Sequence, residues 1–251
     1  MNSFALLIAA LVLSPADAFQ NLVQGVRFSA QKSTAVDLEE SLLQEIKALG
    51  DSRLANSATV QQRILELENS GLGIQRPAIN DSVYGRWRLL HTDNANTASP
   101  IQRKAVDSSA FPIYQDIIFN DKGQLVVSQV VKFNNDLELK VDALASTSVY
   151  PLAELTERKG DGKILGFNLL GVSKVGNEAV EDIERPDSRI KFVFDEGKFD
   201  FENGFSIPYP VPFRLPFLRD AVKGWIDVTY LSERVRISRG NKGTTFVLVK
   251  E

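Results

Sequence analysis

The chain has 251 residues, a net charge of −3, no Cys and a single His, His91. This length suits one domain with a buried core or two small domains. The lack of Cys excludes disulfides, thiolate metal sites and thiol nucleophiles, and a single His excludes metal sites built on two histidines. The weak negative charge argues against nucleic acid as the main partner. The composition therefore predicts no metal and no cofactor, and it lacks most of the groups that enzymes use.

Residues 1–36 have the composition of a targeting sequence. The ten-residue apolar run Phe4–Leu13 is shorter than the roughly 20 residues of a membrane-spanning helix, but it suits the core of a signal peptide. The small residues of Ala16–Ala18 fit a cleavage site, which ends a signal peptide at residues 1–18. Residues 19–36 are basic and hydroxylated and contain no acid, as is typical of transit peptides.

A signal peptide followed by a transit-like segment resembles the bipartite presequence of algae with complex plastids, and it predicts a plastid protein. A buried N-terminal helix is the alternative for the apolar run. A secreted protein with a short disordered tail is the alternative for the whole leader, although secreted proteins more often carry disulfides.

Residues 37–79 are predicted to form two short amphipathic helices and a connecting loop. The first helix runs from an N-cap at Asp37 to a stop at Gly50, with apolar residues every three or four positions. The second begins near Ser57 and ends near Asn69. Because the polar faces carry both acids and bases, docking on the rest of the protein is favoured over binding to a membrane surface.

From residue 80 to residue 251 apolar and polar residues alternate with a period of two, which is typical of β-strands. No helical segment separates the strands, so an antiparallel sheet is expected. Closure into a barrel removes the sheet edges and is favoured over a sandwich. The predicted strands are Tyr84–Thr92, Pro112–Asn120, Gln124–Phe133, Leu137–Tyr150, Glu154–Lys159, Ile164–Val175, Arg189–Asp195, Lys198–Glu202, Gly224–Leu231, Arg234–Arg239 and Thr244–Lys250.

The start of the first strand has the Gly-x-Trp pattern of lipocalin-like barrels, formed by Gly85 and Trp87. Gly lets the chain turn in, and Trp plugs the closed end. An Arg from a late strand often stacks on this Trp, and Arg236 and Arg239 are the candidates. We therefore expect a mainly β fold, a lipocalin-like antiparallel β-barrel after two short α-helices, with Gly85, Trp87 and Arg239 as closure residues.

The inside of this barrel is either hollow or filled. The inward residues of one strand become smaller toward Ala143 and Ala145, which leaves room for a small ligand. The 15 Phe of the chain offer the opposite possibility, a solid interior. The residue pattern alone leaves both possibilities open.

Several motifs carry a family resemblance. They are YGRWRLLHT (84–92), IYQDI (113–117), RIKFVF (189–194), PYPVPFRLP (208–216) and GWIDVTYLSERVRISRGNKGTTFVLVK (224–250). In order and spacing they resemble the plastid lipid-associated protein family, also called plastid fibrillins, over residues 80–251, and the two helices fit as well. His91 replaces the Tyr that is common in the first motif.

The resemblance implies a non-enzymatic protein of thylakoids or plastoglobules that binds or sequesters a prenylquinone, carotenoid or acyl lipid. The partners expected from it are a hydrophobic small molecule and a peripheral lipid surface. The alternative is a non-catalytic scaffold for a prenyl-lipid biosynthetic enzyme. A third possibility, an enzyme acting on a lipid through Asp227, has no nucleophile–base pair to support it.

Asp227 is the most specific candidate in the last motif because it alternates with Trp225 along one strand face. If that face points inward, the buried carboxylate needs a partner, which Arg234, Arg236 or Arg239 on the next strand can supply. Asp227 then either anchors a ligand head group or forms a structural ion pair that closes the barrel, and the ion pair is favoured. The full set of tentative ligand-binding residues is Tyr114, Phe192, Phe194, Phe213, Trp225, Asp227, Tyr230 and Arg236.

The segment Phe205–Leu218 combines four prolines with aromatic and aliphatic residues. Proline excludes a central strand, so an extended strap is expected at one end of the barrel. Basic neighbours such as Arg214 suit insertion at an anionic lipid surface. The alternative is a strap whose Phe side chains seal the barrel.

Overall fold

The computed structural model describes the side chains of residues 34–93, 110–150, 185–209, 223–241 and 243–251, and the backbone of four short strands between residues 156 and 175. The chain divides into a unit of residues 1–34 and a unit of residues 35–251, and the second unit is described below. The predicted signal peptide, most of the transit-like segment, and Phe213 with most of the strap lie outside the described residues.

Two α-helices begin the unit, α1 at Ala35–Ala48 and α2 at Ala58–Asn69. The predicted N-cap of the first helix is wrong by about one turn, because Asp37 lies inside the first turn of α1, where its negative charge still favours the helix dipole. The other predicted ends are confirmed. The Ser57 side chain accepts a hydrogen bond from the backbone N–H of Val60 at 3.3 Å. Gly50, with a φ of 75°, follows the end of α1.

Thirteen strands follow in the described residues, and two 3₁₀ turns, Pro77–Ile79 and Asp81–Val83, precede them. The strands are β1 (Gly85–Thr92), β2 (Ile113–Phe119), β3 (Leu125–Lys132), β4 (Leu137–Ser146), β5 (Thr156–Arg158), β6 (Lys163–Ile164), β7 (Phe167–Asn168), β8 (Ser173–Val175), β9 (Arg189–Phe201), β10 (Ser206–Pro208), β11 (Lys223–Leu231), β12 (Val235–Gly240) and β13 (Thr245–Lys250). Some predicted strand bounds are wrong. The predicted strands Arg189–Asp195 and Lys198–Glu202 form one continuous strand, β9, whose register against β4 shifts between Asp142 and Ala143. The predicted strand Ile164–Val175 covers parts of three separate short strands, β6, β7 and β8.

Nine of these strands form one sheet in the order β10-β9-β11-β12-β13-β1-β2-β3-β4, and β4 pairs again with β9. This second pairing joins the two ends of the sheet, so eight strands make a ring-like arrangement and β10 extends it beside β9. Every pairing in the sheet is antiparallel, as the sequence predicted. The remaining strands form two separate pairs, β5 with β8 and β6 with β7.

Apolar side chains form two separate clusters, one on each face of this sheet. The larger cluster lies on the inner face of the ring and includes Trp87, Leu89, Val127 and Val141. The smaller cluster joins the apolar faces of α1 and α2 to the outer face of β11, β12 and β13. The helices therefore dock on the sheet, as the mixed charge of their polar faces predicted. In the described ranges neither helix has the length and apolar character needed to cross a bilayer.

Candidate functional site

The interior of the ring has a wall in which small residues face aromatic ones. In the register of β4 and β9, Ala143 lies opposite Phe194 and Ala145 lies opposite Phe192. Both alanines are fully buried, and the two Phe rings pack against the inner cluster with their centroids 5.4 Å apart. The small side chains predicted to leave room are thus the neighbours of the two Phe residues predicted to line the site.

Gly224 continues this wall on the other side of β9, opposite Phe192. A Cβ atom at Gly224 would come within 2.7 Å of the Phe192 ring, so the ring occupies the space that the missing side chain leaves. Phe192, Phe194 and the nearby Phe199 remain partly exposed although they pack on the inner cluster. An apolar surface that solvent reaches therefore exists on the inner face of the ring.

Trp87 also belongs to the inner cluster. This side chain is fully buried, and its indole N–H donates to the Val83 carbonyl at 2.8 Å. The Arg236 guanidinium lies over the indole, 4.9 Å from the ring centroid. Of the two predicted stacking candidates, Arg236 makes this contact. Gly85 has a φ of 119°, a conformation that favours glycine, and so allows the chain to turn into β1.

Arg236 is fully buried on the inner face, and it donates to the side-chain oxygen of Gln115. Burial lowers the pKa of Arg236 to about 9. The Nε and Nη1 groups of this guanidinium have no hydrogen-bond partner among the described residues. A buried cation with one hydrogen bond and one aromatic contact is an under-satisfied group in an otherwise apolar wall.

Asp227 and Trp225 lie on the outer face, because the residues between them, such as Ile226, belong to the inner cluster. The Asp227 carboxylate accepts two hydrogen bonds from Arg189, at 2.7 Å from Nε and 3.0 Å from Nη2. A second cation, Arg185, lies 3.2 Å away. Arg189 also stacks on Trp225, with 3.8 Å between the guanidinium carbon and the ring centroid. The arginine partner thus comes from β9 and not from Arg234, Arg236 or Arg239, the predicted partners.

Arg239 and Tyr230 both contact the helices. Arg239 donates to both carboxylate oxygens of Glu68 on α2, at 2.8 and 2.7 Å. Thr229 donates to the same carboxylate at 2.7 Å. The Tyr230 hydroxyl is buried and donates to Glu39 on α1 at 2.7 Å, and burial raises the Tyr230 pKa well above its usual value. These side chains attach the helices to the sheet from outside the ring.

Tyr114, the remaining described candidate, is also on the outer face. Its ring lies between two cations, 4.9 Å from the Arg86 guanidinium carbon and 5.6 Å from the Lys132 ammonium. Arg86 pairs with Asp116 through hydrogen bonds of 2.9 and 2.7 Å, which raise the pKa of the guanidinium. Phe192, Phe194 and Arg236 are therefore the predicted binding residues that the fold brings to the inner face.

Three residues that contact the predicted site residues were not predicted from the sequence: Arg189, Glu68 and Gln115. Arg189 opens one of the quoted motifs, and a charge directly before an apolar strand was a signal available in the sequence. Glu68 and Gln115 had no distinguishing pattern, because their roles depend on which strands and helices meet in three dimensions.

Comparisons with known proteins show which family and which relatives the chain is similar to. The PAP_fibrillin family model matches residues 36–249. The chain is 42% identical over 183 residues to probable plastid-lipid-associated protein 12, chloroplastic, of Arabidopsis thaliana, covering 71% of this chain and 35% of the relative. It is 41% identical over 46 residues to light-induced protein, chloroplastic, of Solanum tuberosum, covering 18% of this chain and 14% of the relative.

The chain thus spans about a third of the length of the Arabidopsis relative. No solved structure matches it. Both relatives are chloroplastic by name, which agrees with the plastid localisation predicted from the sequence.

Proposed function

Because the chain belongs to the PAP/fibrillin family of plastid-lipid-associated proteins, we propose that it binds or sequesters a hydrophobic ligand inside its ring of strands. The ligand class is a prenylquinone, a carotenoid or an acyl lipid, and the site of action is the thylakoid or plastoglobule surface. In this proposal the ring is a lipocalin-like barrel, and the protein has no catalytic role.

The observation that carries the proposal is the partly exposed aromatic surface on the inner face. A solid core buries its large side chains almost completely, since interiors pack as densely as organic crystals. Phe192 and Phe194 instead keep solvent-accessible surface beside the small side chains of Ala143 and Ala145. Apolar surface left facing inward is the lining that small-molecule sites use.

The hairpin of β9 and β10 supports a location at a lipid surface. Phe205 and Ile207 are 58% and 43% exposed, and Phe205 packs beside Phe201 with ring centroids 5.8 Å apart. Exposed apolar side chains at the tip of a hairpin suit contact with an apolar surface. The predicted strap, Phe205–Leu218, begins in this hairpin, so we propose that the strap also contacts the lipid surface.

Titration of the delipidated full chain tests the proposal. β-Carotene, a plastoquinone analogue and oleate are added to wild type and to the Ala143→Leu variant, with binding followed by calorimetry. We expect at least one ligand to bind wild type, and we expect the larger side chain to weaken that binding at least tenfold because it fills the inner wall. Leu65→Phe, which adds volume at a half-exposed position of α2, is the matched control.

The outcomes separate this proposal from its alternative. Thermal melts of both variants show whether Ala143→Leu still folds, and Ala145→Leu replaces it if it does not. If none of the three ligands binds wild type, the container function is wrong. The scaffold alternative then gains support from the exposed aromatic pair Phe119 and Tyr150, whose ring centroids are 4.9 Å apart.

A further inference from the structure

The polar groups on the inner face offer hydrogen-bond donors that have no acceptor among the described residues. Arg236 is completely buried, and two of its guanidinium nitrogens lack partners among the described residues. In the same residues no carboxylate forms an ion pair with it, unlike Arg189, which pairs with Asp227 on the outer face. Arg236 is thus a positive charge that the described interior leaves without a counter-charge.

Gln115 adds donors of fixed orientation. Its side-chain oxygen accepts from Arg236, so its amide nitrogen is the end left to donate. Gln129 lies opposite Gln115 in the register of β2 and β3, on the same inner face, and is partly exposed. Cross-strand neighbours have Cβ atoms about 5 Å apart, so the two amides are within reach of one ligand group. The three side chains form a short polar row in an apolar wall.

We infer that this row recognises the carboxylate of a long-chain apolar acid, an acyl or isoprenoid acid, whose tail contacts the inner wall at Phe192 and Phe194. The inference rests on the proposed function and narrows its ligand class. A carboxylate supplies the negative charge and the acceptor oxygens that Arg236 and Gln115 lack, and it offers them in the planar form that guanidinium binds best.

The electrostatic cost of burying Arg236 supports the same conclusion. Burial without a carboxylate disfavours the charged guanidinium, as the lowered pKa of Arg236 shows. A bound carboxylate stabilises the charged form and brings that pKa back toward its usual value. Hydrogen bonds to charged groups are about twice as strong as neutral ones, so an ester or alcohol with the same tail gains less from this row.

The experiment compares three probes that share one tail: oleate, methyl oleate and oleyl alcohol, each titrated calorimetrically into the delipidated full chain. We expect oleate to bind roughly 10- to 100-fold more tightly than methyl oleate, the range set by hydrogen bonds to a charged group. In Arg236→Met we expect oleate affinity to fall to that of the ester while ester affinity stays unchanged. Arg88→Gln, which removes a charge from the outer face next to Glu251, is the matched control.

A second variant guards against misfolding. Arg236 has no carboxylate partner among the described residues, so Arg236→Met leaves no opposite charge buried without compensation and is expected to fold. Urea unfolding checks this, and Gln115→Leu is used if Arg236→Met does not fold; this variant removes the amide donor and also the oxygen that accepts from Arg236. We expect Gln115→Leu to reduce the preference for oleate over methyl oleate less than Arg236→Met does.

Failure of the inference is distinct from failure of the proposed function. Equal affinities of wild type for oleate and methyl oleate overturn the carboxylate site and leave the hydrophobic container standing. A preference for oleate that survives in both variants also overturns it, because other groups then read the carboxylate. If no lipid probe binds wild type, the proposed function and the inference both fail.

Discussion

Asp227→Asn is the substitution that best separates a structural ion pair from a ligand anchor. Asp227 is 3% exposed, and the guanidinium that binds it, on Arg189, is 9% exposed. The substitution keeps the shape of the side chain, but it replaces one acceptor oxygen by an NH₂ group that faces the Arg189 donors. Removing one partner of a buried pair costs about 3–5 kcal/mol, because the other charge stays buried without compensation.

We therefore expect Asp227→Asn to lose about 3–5 kcal/mol of unfolding free energy in urea denaturation followed by circular dichroism, with an unchanged m-value. Its affinity for lipid probes should stay at the wild-type level, because the pair lies outside the ring. Arg185→Gln is the control: its side chain is 59% exposed, so it should cost less than about 1 kcal/mol. A loss below about 1 kcal/mol in Asp227→Asn, together with weaker lipid binding, would refute the outer-face structural role.

Three further predictions concern the helices, pH and the inner wall. Glu68→Gln removes a carboxylate that binds Arg239 and Thr229, and it should lower the unfolding free energy by about 1–2 kcal/mol with loss of protection from hydrogen exchange in α2. Burial lowers the pKa of His91 in the folded protein. The contribution of neutral His91 to the unfolding free energy should therefore be complete above about pH 6.5, the pKa in the unfolded chain, and should be lost as the pH falls toward the folded pKa. Urea unfolding between pH 7 and 5 should show this fall in wild type and not in His91→Tyr. Gly224→Ala displaces the Phe192 ring and should cost about 1–3 kcal/mol while changing lipid affinity.

Each of these has a result that would count against it. Unchanged exchange in α2 would mean that Glu68 does not hold the helix to the sheet. A pH dependence that survives in His91→Tyr would point to other titratable groups, such as the nearby Asp93 carboxylate, whose charge raises the His91 pKa. A fully stable Gly224→Ala would show that Phe192 can leave its position at no cost.

The order of secondary structure was largely predictable because alternation and helical spacing are local patterns. The face of the sheet to which each side chain points was less predictable, and Tyr230 shows why. On a regular strand Tyr230 shares a face with Ile226 and Val228, which point inward. A register shift between Val228 and Tyr230 turns the Tyr ring outward, where it packs against the helices. A bulge depends on pairing with a neighbouring strand, so alternation within one strand does not reveal it.

The candidate site was predictable only in part for the same reason. Phe192 and Phe194 lie in a motif whose alternation is regular, and both are on the inner face. The sequence predicts the partner of Asp227 on the next strand of the chain, β12. Arg189 instead lies on β9, which pairs with the other edge of β11. Which strands become neighbours follows from closure of the sheet, a property of the whole chain.

Identification of the lipid that co-purifies with the protein tests most directly whether the ring holds a hydrophobic molecule. The protein is purified from plastids without detergent, extracted with organic solvent, and the extract is analysed by mass spectrometry against the molar amount of protein. We expect an apolar lipid close to one molecule per chain in wild type and a marked reduction in Ala143→Leu. Wild-type protein that carries no lipid, or equal lipid on both proteins, would contradict it.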